Sequence, residues 1–554
     1  MTEPSVPVGR VELPWEEGAG VGLPFVVTVL ADLVADGPVV PWTRRQPVAI
    51  DAANLDAVLQ SLQPRLALQV ENRLQDDDSE LRVELVFRCL ADFGPAAVVR
   101  QVPALAALLA RRADFGAPAA PAAPSIAPAD LLDEMLAGTA PAPANGAAPD
   151  VDVVIARQLD AILQHAAFQR LEASWRGLHR LVGAVTARGL VRVQLLSVSR
   201  AELQEQAAAS NDVDESMLWQ ALRRRADVPD GLFVVDFAFG RNLADVVVLG
   251  WLAQLAAHRH TPCLAAPAPD LFGLASWSRW TDLPRLTKVF DKTDPANTKW
   301  LGFRDQPAAR FVTMVLPRYL ARAPYAGAPL GTSGHAYTEA AFTGADLLWA
   351  NAGWLLAAHI ATEFEHRGWC AHLVDGEPKP GAGAPIALGA GFGAGSGGPF
   401  ECAVGDGLEL ELRGAGFVVA RPVAMGASGR AAVGFRAAPS TQRPRQFTDA
   451  HATASASLSA QLPNLLVLSQ FVHHLLRFFE NGAHRSPAQL AADGTAWLQR
   501  CVQDDAEAVP GAAQPLLDGY LEVAADPRVP GACRATLGLC WEGLSTFVQT
   551  EFPL

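Results

Sequence analysis

The chain is poor in positive charge. Its 44 lysine and arginine residues are outnumbered by 58 aspartate and glutamate residues, which gives a net charge of −14. The longest basic run is the three arginines at 223–225. A protein that neutralises nucleic-acid phosphates needs clustered lysine and arginine. The composition therefore predicts that nucleic acid is not among the partners.

Cysteines and long apolar runs are also scarce. The longest apolar helical run, Leu347–Ala361, contains Asn351 and His359 and is shorter than the roughly 20 residues that cross a membrane. The opening MTEPSVPVGRVELPW has neither the basic nor the apolar region of a signal peptide. The seven cysteines form no C-x-x-C pair, which is typical of reduced thiols. We expect a cytoplasmic protein without direct membrane insertion.

Catalytic and cofactor motifs are missing too. One G-x-G-x-x-G match, Gly393, Gly395 and Gly398, is followed by Pro399 and not by the helix that phosphate binding requires, which favours a surface loop. The close histidine pairs, 258/260 and 473/474, have no cysteine or carboxylate that completes a metal-ligand set. The sequence also has no P-loop and no G-x-S-x-G motif. We expect no catalytic residue, cofactor or metal, with an enzyme of unrecognised site as the alternative.

What the chain does have is abundant apolar sequence in alternating helix and strand patterns. Half of its 554 residues are hydrophobic and 18% are charged, which at this length predicts more than one core. The alternating helix and strand patterns predict a mixed α/β fold. Composition divides it into a strand arm (1–22), a small lobe (23–112), a Pro/Ala-rich linker (113–150), a large core (151–440) and a C-terminal region (441–554).

Two patterns in the large core lead to specific expectations. The stretch LELELRGAGFVVA, residues 408–420, alternates leucine with charge before a glycine turn, which predicts a hairpin. In the stretch 168–182 the apolar side chains recur at helical period. Glu172 and His179 fall on its polar positions, and we interpret both as solvated helix-face residues because no second catalytic group accompanies them. The apolar stripe of this helix is Phe168, Leu171, Trp175, Leu178 and Val182.

Both ends of the chain carry alternating strand patterns. Near the start, Pro14 lies within the alternation, which is typical of an edge strand. Near the end, a second strand is expected to follow the first. The apolar positions are Val11, Leu13 and Trp15 in the first pattern, and Leu537, Leu539 and Trp541 in the last.

The linker contains one short amphipathic helix pattern, at residues 129–138. Proline stands at its start and glycine at its end. A helix of this length between two Pro/Ala segments has no local partner for its apolar stripe, so it either docks in another protein's groove or packs back on its own chain. Its central residues are Leu131, Leu132, Asp133, Glu134, Met135 and Leu136.

Long stretches of the chain resemble the type VI secretion contractile sheath. Four stretches are similar to the large subunit, TssC (VipB). They include LDAILQHAAFQRLEASWRGLHRLV, VFDKTDPANTKWLGFRDQPAARF, DLLWANAGWLLAAHIATEFEHRGWCAHL and TQRPRQFTDAHATASASLSAQLPNLL. The stretches LPFVVTVLADL, DAANLDAVLQSLQPRLALQVEN and LRVELVFRCLADFGPAAVVRQ are similar to the small subunit, TssB (VipA). The resemblance therefore indicates a natural fusion of the two.

The resemblance implies a function and partners. It implies a structural subunit that polymerises into a helical tube around an Hcp-like inner tube, contacts baseplate proteins and contracts. The terminal strand residues named above would be exchanged between protomers, and the six linker-helix residues would be bound by a ClpV-type AAA+ ATPase. Two departures from the family are that the small-subunit segment stops near Arg112 and that the helix lies inside a fused chain. A tube that does not contract, or another contractile injection device, is the alternative.

Overall fold

The computed structural model describes residues 23–554 with internal gaps. The arm with Val11, Leu13 and Trp15 and the helix predicted at 129–138 lie outside the described residues, as does the glycine-rich stretch 389–398. Within 23–554 the residues left out are 76, 78, 117–150, 186–188, 210–211, 225–227, 332–335, 341–342, 375–385, 388–398, 426–429, 481–485, 503–514 and 528–531.

The strands of the described residues form one large sheet and four small ones. In chain order they are β1 (Phe25–Ala31), β2 (Val48–Ile50), β3 (Arg65–Glu71), β4 (Glu80–Val86), β5 (Val191–Ser197), β6 (Asp230–Phe239), β7 (Cys263–Pro267), β8 (Val312–Leu316), β9 (Tyr319–Leu320), β10 (Ala328–Pro329), β11 (Ala336–Tyr337), β12 (Trp349–Ala350), β13 (Ile386–Ala387), β14 (Phe417–Met425), β15 (Arg430–Phe435), β16 (Leu516–Ala525), β17 (Cys533–Trp541) and β18 (Val548–Pro553).

Helices connect these strands and cover the large sheet. In chain order they are α1 (Leu55–Leu62), α2 (Pro95–Gln101), α3 (Pro103–Gly116), α4 (Val151–Leu163), α5 (Ala166–Ala184), α6 (Arg200–Ala209), α7 (Met217–Arg223), α8 (Leu243–His258), α9 (Leu286–Val289), α10 (Thr298–Arg304), α11 (Gly353–Arg367), α12 (Asp406–Gly414), α13 (Ala450–Ser459), α14 (Leu462–Glu480) and α15 (Pro487–Gln499). The predicted mixed α/β class is confirmed.

The large sheet has nine strands in the order β13-β15-β14-β8-β7-β6-β1-β5-β2. Strands β5, β1, β6, β7, β8 and β14 run parallel to their neighbours in this group. β1 lies inside it, pairs with β5 and β6, and has all seven residues buried. A strand that is covered on both faces needs a continuous apolar run, and FVVTVLA supplies one.

The two faces of the sheet carry different hydrophobic cores. Val27 and Val29 of β1 point into a core shared with Trp175 of α5 and Trp354 of α11, whereas Leu30 points into the opposite core. This division follows from the two-residue period of a strand. The second core contains α8 and a group of aromatic rings that includes Phe272, Trp277, Trp280, Trp300 and Phe417.

The small and large lobes expected from composition are not separate packing units. β1 belongs to the segment 23–112, yet both of its neighbours, β5 and β6, belong to the segment 151–440. The core on the α5 side likewise combines residues of both segments. The division at residues 113–150 is therefore a division of sequence, because the two segments contribute strands to one sheet.

The prediction of a hairpin at residues 408–420 is wrong. The structure has α12 followed by β14, which pairs in parallel with β8. Leu412 is fully buried and Leu410 is 67% exposed, so the alternating leucines do not share a face. In a helix, side chains four residues apart meet, which places Leu408 and Leu412 on the side that packs against the second core.

A buried polar network joins β1 to its two neighbouring strands. The Asp230 carboxylate at the start of β6 accepts hydrogen bonds from Thr28 Oγ1 at 2.5 Å and from Gln194 Nε2 of β5 at 3.0 Å. Its other oxygen pairs with Arg259, 2.6 Å away. Asp230 is 2% exposed, so removal of its charge would leave a buried arginine without its carboxylate.

Asp230→Ala is expected to lower the free energy of unfolding by about 3–5 kcal/mol, the usual cost of breaking a buried ion pair from one side. Urea denaturation followed by tryptophan fluorescence measures this change. Glu84→Ala is the matched control because its pair with Arg82 is exposed, and we expect it to cost about 1 kcal/mol or less. Equal losses in the two variants would contradict the role assigned to the network.

Candidate assembly interface

The usual ligand crevice of an open α/β sheet is filled in this chain. In such sheets ligands bind at the carboxyl ends of parallel strands where the connections diverge, which here is between β1 and β6. Asp236, near the end of β6, accepts hydrogen bonds from Ser174 Oγ at 2.6 Å and Trp354 Nε1 at 3.0 Å. Trp175 Nε1 donates to the carbonyl of Leu33, just beyond β1, at 3.1 Å.

Tight packing of two helices closes this crevice. A Cβ atom on Gly177 would lie 2.5 Å from Nε1 of Trp354, so only glycine lets α5 and α11 approach this closely. Desolvation raises the pKa of Asp236 above its ordinary value, and its hydrogen bonds to neutral donors tie α5 and α11 to the sheet. The carboxyl group thus cross-links three elements.

Glu172 is not the solvated helix-face residue that its position predicted. It is fully buried, and its carboxylate pairs with Arg176 at 2.7 Å and Arg322 at 2.9 Å. Arg322 also pairs with Glu339 at 2.6 Å, and these carboxylates raise its pKa although burial opposes the shift. The network ties α5 to the segment 319–340. His179 is exposed, as interpreted from the sequence.

Three of the four paired histidines serve packing, and the fourth, His258, is exposed. His260 lies between the rings of Phe311 and Phe552, His473 Nε2 is 2.9 Å from the carbonyl oxygen of Arg259, and His474 stacks on Trp497. Burial lowers the pKa to about 3 for His260 and to about 4 for His473 and His474. Within the described ranges, no group of three His, Cys, Asp or Glu side chains could hold a metal ion.

Among the described helices, none combines the length and the apolar character that crossing a bilayer requires.

The C-terminal strands form a separate three-stranded sheet in the order β16-β17-β18. Leu537, Leu539 and Trp541 lie on β17, and all three are buried in a core with residues of α14 and α15. β17 pairs with β16 on one side and β18 on the other. A strand in the middle of a sheet has no edge for a neighbour, so any exchange at this sheet involves its outer strands.

The outer edge of β18 is already covered. The Gln549 N–H donates to Ser459 Oγ at 3.1 Å, and its carbonyl accepts from Arg310 at 3.4 Å. Ser455 Oγ donates to the carbonyl of Phe547 at 2.7 Å. These side-chain contacts occupy the main-chain groups that a further strand would need.

Within the described residues, the outer edge of β16 is unpaired from Leu521 to Ala525, whereas Leu516 at its start bridges Val502. The turn bond from Asp526 N to the Ala532 carbonyl sets the register, so the main-chain groups of Leu521, Val523 and Ala525 point away from β17. In the described part of the chain these outward groups form no hydrogen bond. A strand whose edge is unpaired over these residues is a template for another strand.

The sequence patterns did not lead us to predict β16. Its signal is present, because Leu521 and Val523 alternate with Glu522 and Ala524, but the Asp518-Gly519 pair resembles a turn. Gly519 lies inside the strand, opposite Leu539 of β17.

Comparisons with known proteins match two separate segments of the chain to two families. Residues 146–442 match the family described as EvpB/VC_A0108, tail sheath N-terminal domain. The chain belongs to this family of tail sheath proteins. Residues 9–140 match a second family, described as type VI secretion system, VipA, VC_A0107 or Hcp2. The predicted fusion of TssB-like and TssC-like segments in one polypeptide is confirmed.

Two curated relatives come from Pseudomonas aeruginosa, and both are type VI secretion system sheath proteins. TssC1 is 31% identical over 344 residues, which cover 59% of this chain and 66% of TssC1. TssB1 is 41% identical over 95 residues, which cover 17% of this chain and 54% of TssB1. The chain thus spans just under two thirds of one relative and about half of the other.

One solved structure, a sheath tail protein from Desulfitobacterium hafniense, aligns with 98% of this chain and 99% of its own at 9% identity and a TM-score of 0.33. That similarity is too low to support a conclusion about the fold.

The buried histidines are expected to make the sheath protein less stable in mild acid. The unfolded chain takes up protons near pH 6.5, whereas the folded chain resists protonation down to about pH 4. Between these values the free energy of unfolding decreases as the pH is lowered, by up to about 1.4 kcal/mol per histidine for each pH unit.

Urea midpoints at pH 7, 6 and 5 measure this dependence. His474→Phe keeps a ring on Trp497 but does not titrate, and it is expected to give a shallower slope than the wild type. His179→Gln, at an exposed position, is the control and should leave the slope unchanged. Identical slopes for wild type and His474→Phe would contradict the assignment.

Proposed function

We propose that copies of this chain polymerise into a helical sheath in the bacterial cytoplasm, with the open edge of β16 as a contact between protomers. The occupant is the N-terminal arm of a neighbouring copy, through Val11, Leu13 and Trp15. The support is the unpaired edge at Leu521 and Val523 together with membership of the sheath family. Because donor and acceptor lie at different places on the chain, the contact is head-to-tail, and a rotation that does not close makes it an open helix.

The rest of the function follows the family. The tube surrounds an Hcp-like inner tube, docks on baseplate proteins, and contracts as the protomers repack, without catalysis by the sheath itself. Free energy for contraction is stored in the packing of the extended tube. The filled crevice between β1 and β6 supports a structural role, since Ser174, Trp175 and Trp354 occupy the place where an α/β enzyme binds its ligand.

The linker segment is the proposed site for a ClpV-type AAA+ ATPase that dismantles the tube. Its apolar positions, Leu131, Leu132, Met135 and Leu136, are spaced to enter a groove as one helical stripe, with Asp133 and Glu134 beside them. The segment is internal to the fused chain, so the ATPase would engage a loop and not a free end.

Negative-stain microscopy of the purified chain tests the sheath directly. We expect long hollow tubes, and two tube diameters would indicate contraction; uniform discrete particles would favour an enzyme. Val523→Pro removes an outward N–H and leaves the ladder to β17 intact. It is expected to reduce tubes at least about tenfold, the effect of losing roughly 1.4 kcal/mol per contact.

Val523→Ala is the matched control, because it shortens the side chain but keeps the N–H, and it should form tubes. Circular dichroism should be the same for both variants. Abundant tubes from Val523→Pro would place the contact elsewhere. Deletion of residues 535–554 is a poor test, since Leu537, Leu539 and Trp541 fill the chain's own core.

The ATPase site is tested by binding of the full chain to the N-terminal domain of a ClpV-type ATPase. Leu132→Ala with Met135→Ala should abolish binding, because each truncation removes an anchor worth more than about 1 kcal/mol. Thr139→Ala, just beyond the stripe, should bind as the wild type does. Calorimetry or fluorescence anisotropy gives the readout, and unchanged binding of the double variant would remove this role.

A further inference from the structure

A cavity lies at the carboxyl ends of β1 and β5. Its volume is about 330 Å³, within the range of about 300–1,000 Å³ that binding pockets occupy. Apolar side chains from the chain after β1, from β2, from the end of α1 and from β5 line it, among them Val34, Val40, Val48, Leu62 and Leu195. It is distinct from the filled crevice between β1 and β6 and from the edge of β16.

The mouth of the cavity is an exposed apolar surface. Val39 is 63% exposed and Val40 is 46% exposed, and both belong to the cavity lining. Adjacent exposed valines at the entrance to an apolar cavity are typical of a surface that another segment covers.

One exposed cation, Arg44, lies at this mouth. Glu202 is engaged by Arg45, 2.8 Å away, and Asp32 accepts a hydrogen bond from Ala35 N–H at 3.0 Å. Arg44 is exposed, and within the described residues it forms no ion pair. An occupant with an apolar stripe flanked by carboxylates would therefore suit both the cavity and its rim.

One segment of this chain has that pattern. Residues 131–136, LLDEML, place four apolar side chains beside Asp133 and Glu134. Fourteen residues lie between the end of α3 at Gly116 and Leu131, and another fourteen lie between Leu136 and the start of α4 at Val151. Such a tether spans up to about 50 Å. This is about twice the radius of gyration, near 24 Å, of a compact chain of this length, so the tethers are long compared with the size of the molecule.

We propose that residues 131–136 dock in this cavity of their own chain, with Leu132 and Met135 entering it and the acidic residues facing Arg44. The docked stripe cannot lie in a partner's groove at the same time. If the ATPase site proposed above is correct, the cavity competes with the ATPase for the stripe; the docking itself does not depend on that role.

Photocrosslinking on the soluble full-length chain tests the docking. A benzophenone amino acid at Val40 should crosslink to the peptide that contains 131–136, identified by mass spectrometry. The yield should exceed by at least about tenfold that of the same probe at Leu410, a preference of roughly 1.4 kcal/mol. Leu410 is the matched control because it is an exposed apolar residue on α12.

Leu132→Asp with Met135→Asp should abolish this crosslink, since a carboxylate is costly to bury in an apolar cavity. Mixing isotopically heavy and light chains separates docking within a chain from docking between copies. Mixed heavy-light crosslinks, a crosslink to any other segment, or a crosslink that survives the double variant would each overturn the proposal. Tube formation is scored separately on the unlabelled chain, so failure of the sheath and failure of the docking are distinguishable.

Discussion

Parallel pairing of β1 with both β5 and β6 is the constraint on which the rest of the structure depends. A parallel strand in this position must be apolar on both faces, since helices cover each side of the sheet. It must also find partners that lie more than 150 residues further along the chain. Once β1 is in place, its alternate side chains contribute to both hydrophobic cores, so the segment 23–112 has no core independent of the segment 151–440.

Buried polar groups give this apolar sheet its specific register. Asp230 joins Thr28, Gln194 and Arg259 across β1, β5 and β6, and Asp236 joins the sheet to α5 and α11. Apolar strands alone tolerate slipped pairing, whereas a carboxylate that must meet fixed donors does not. The same logic applies to Glu172 of α5, whose pairing with Arg322 fixes the segment 319–340 against that helix.

The sequence predicted those elements whose pattern is local. FVVTVLA is a continuous apolar run and the stripe from Phe168 to Val182 has a helical period, and the structure has β1 and α5 there. Residues 408–412 fit both a strand period and a helix period, and the structure has a helix there, with β14 beginning only at Phe417. The burial of Glu172 could not be read from its helix, because Arg322 is 150 residues away. The edge of β16 was hidden by an Asp-Gly pair, and the placement of Leu537 in a central strand required knowledge of both flanking strands.

The position of β1 has a consequence for synthesis of the fused chain. During translation β1 is made before both of its neighbours, and the second of them, β6, is complete only when residue 239 has been made. At about 5–20 residues per second, an apolar strand with two unpaired edges waits roughly 10–40 s for its partners. Because both segments share one polypeptide, the waiting strand is held near its place at a high effective concentration. Two separately made subunits would instead depend on diffusion and on their cellular levels to complete the same sheet.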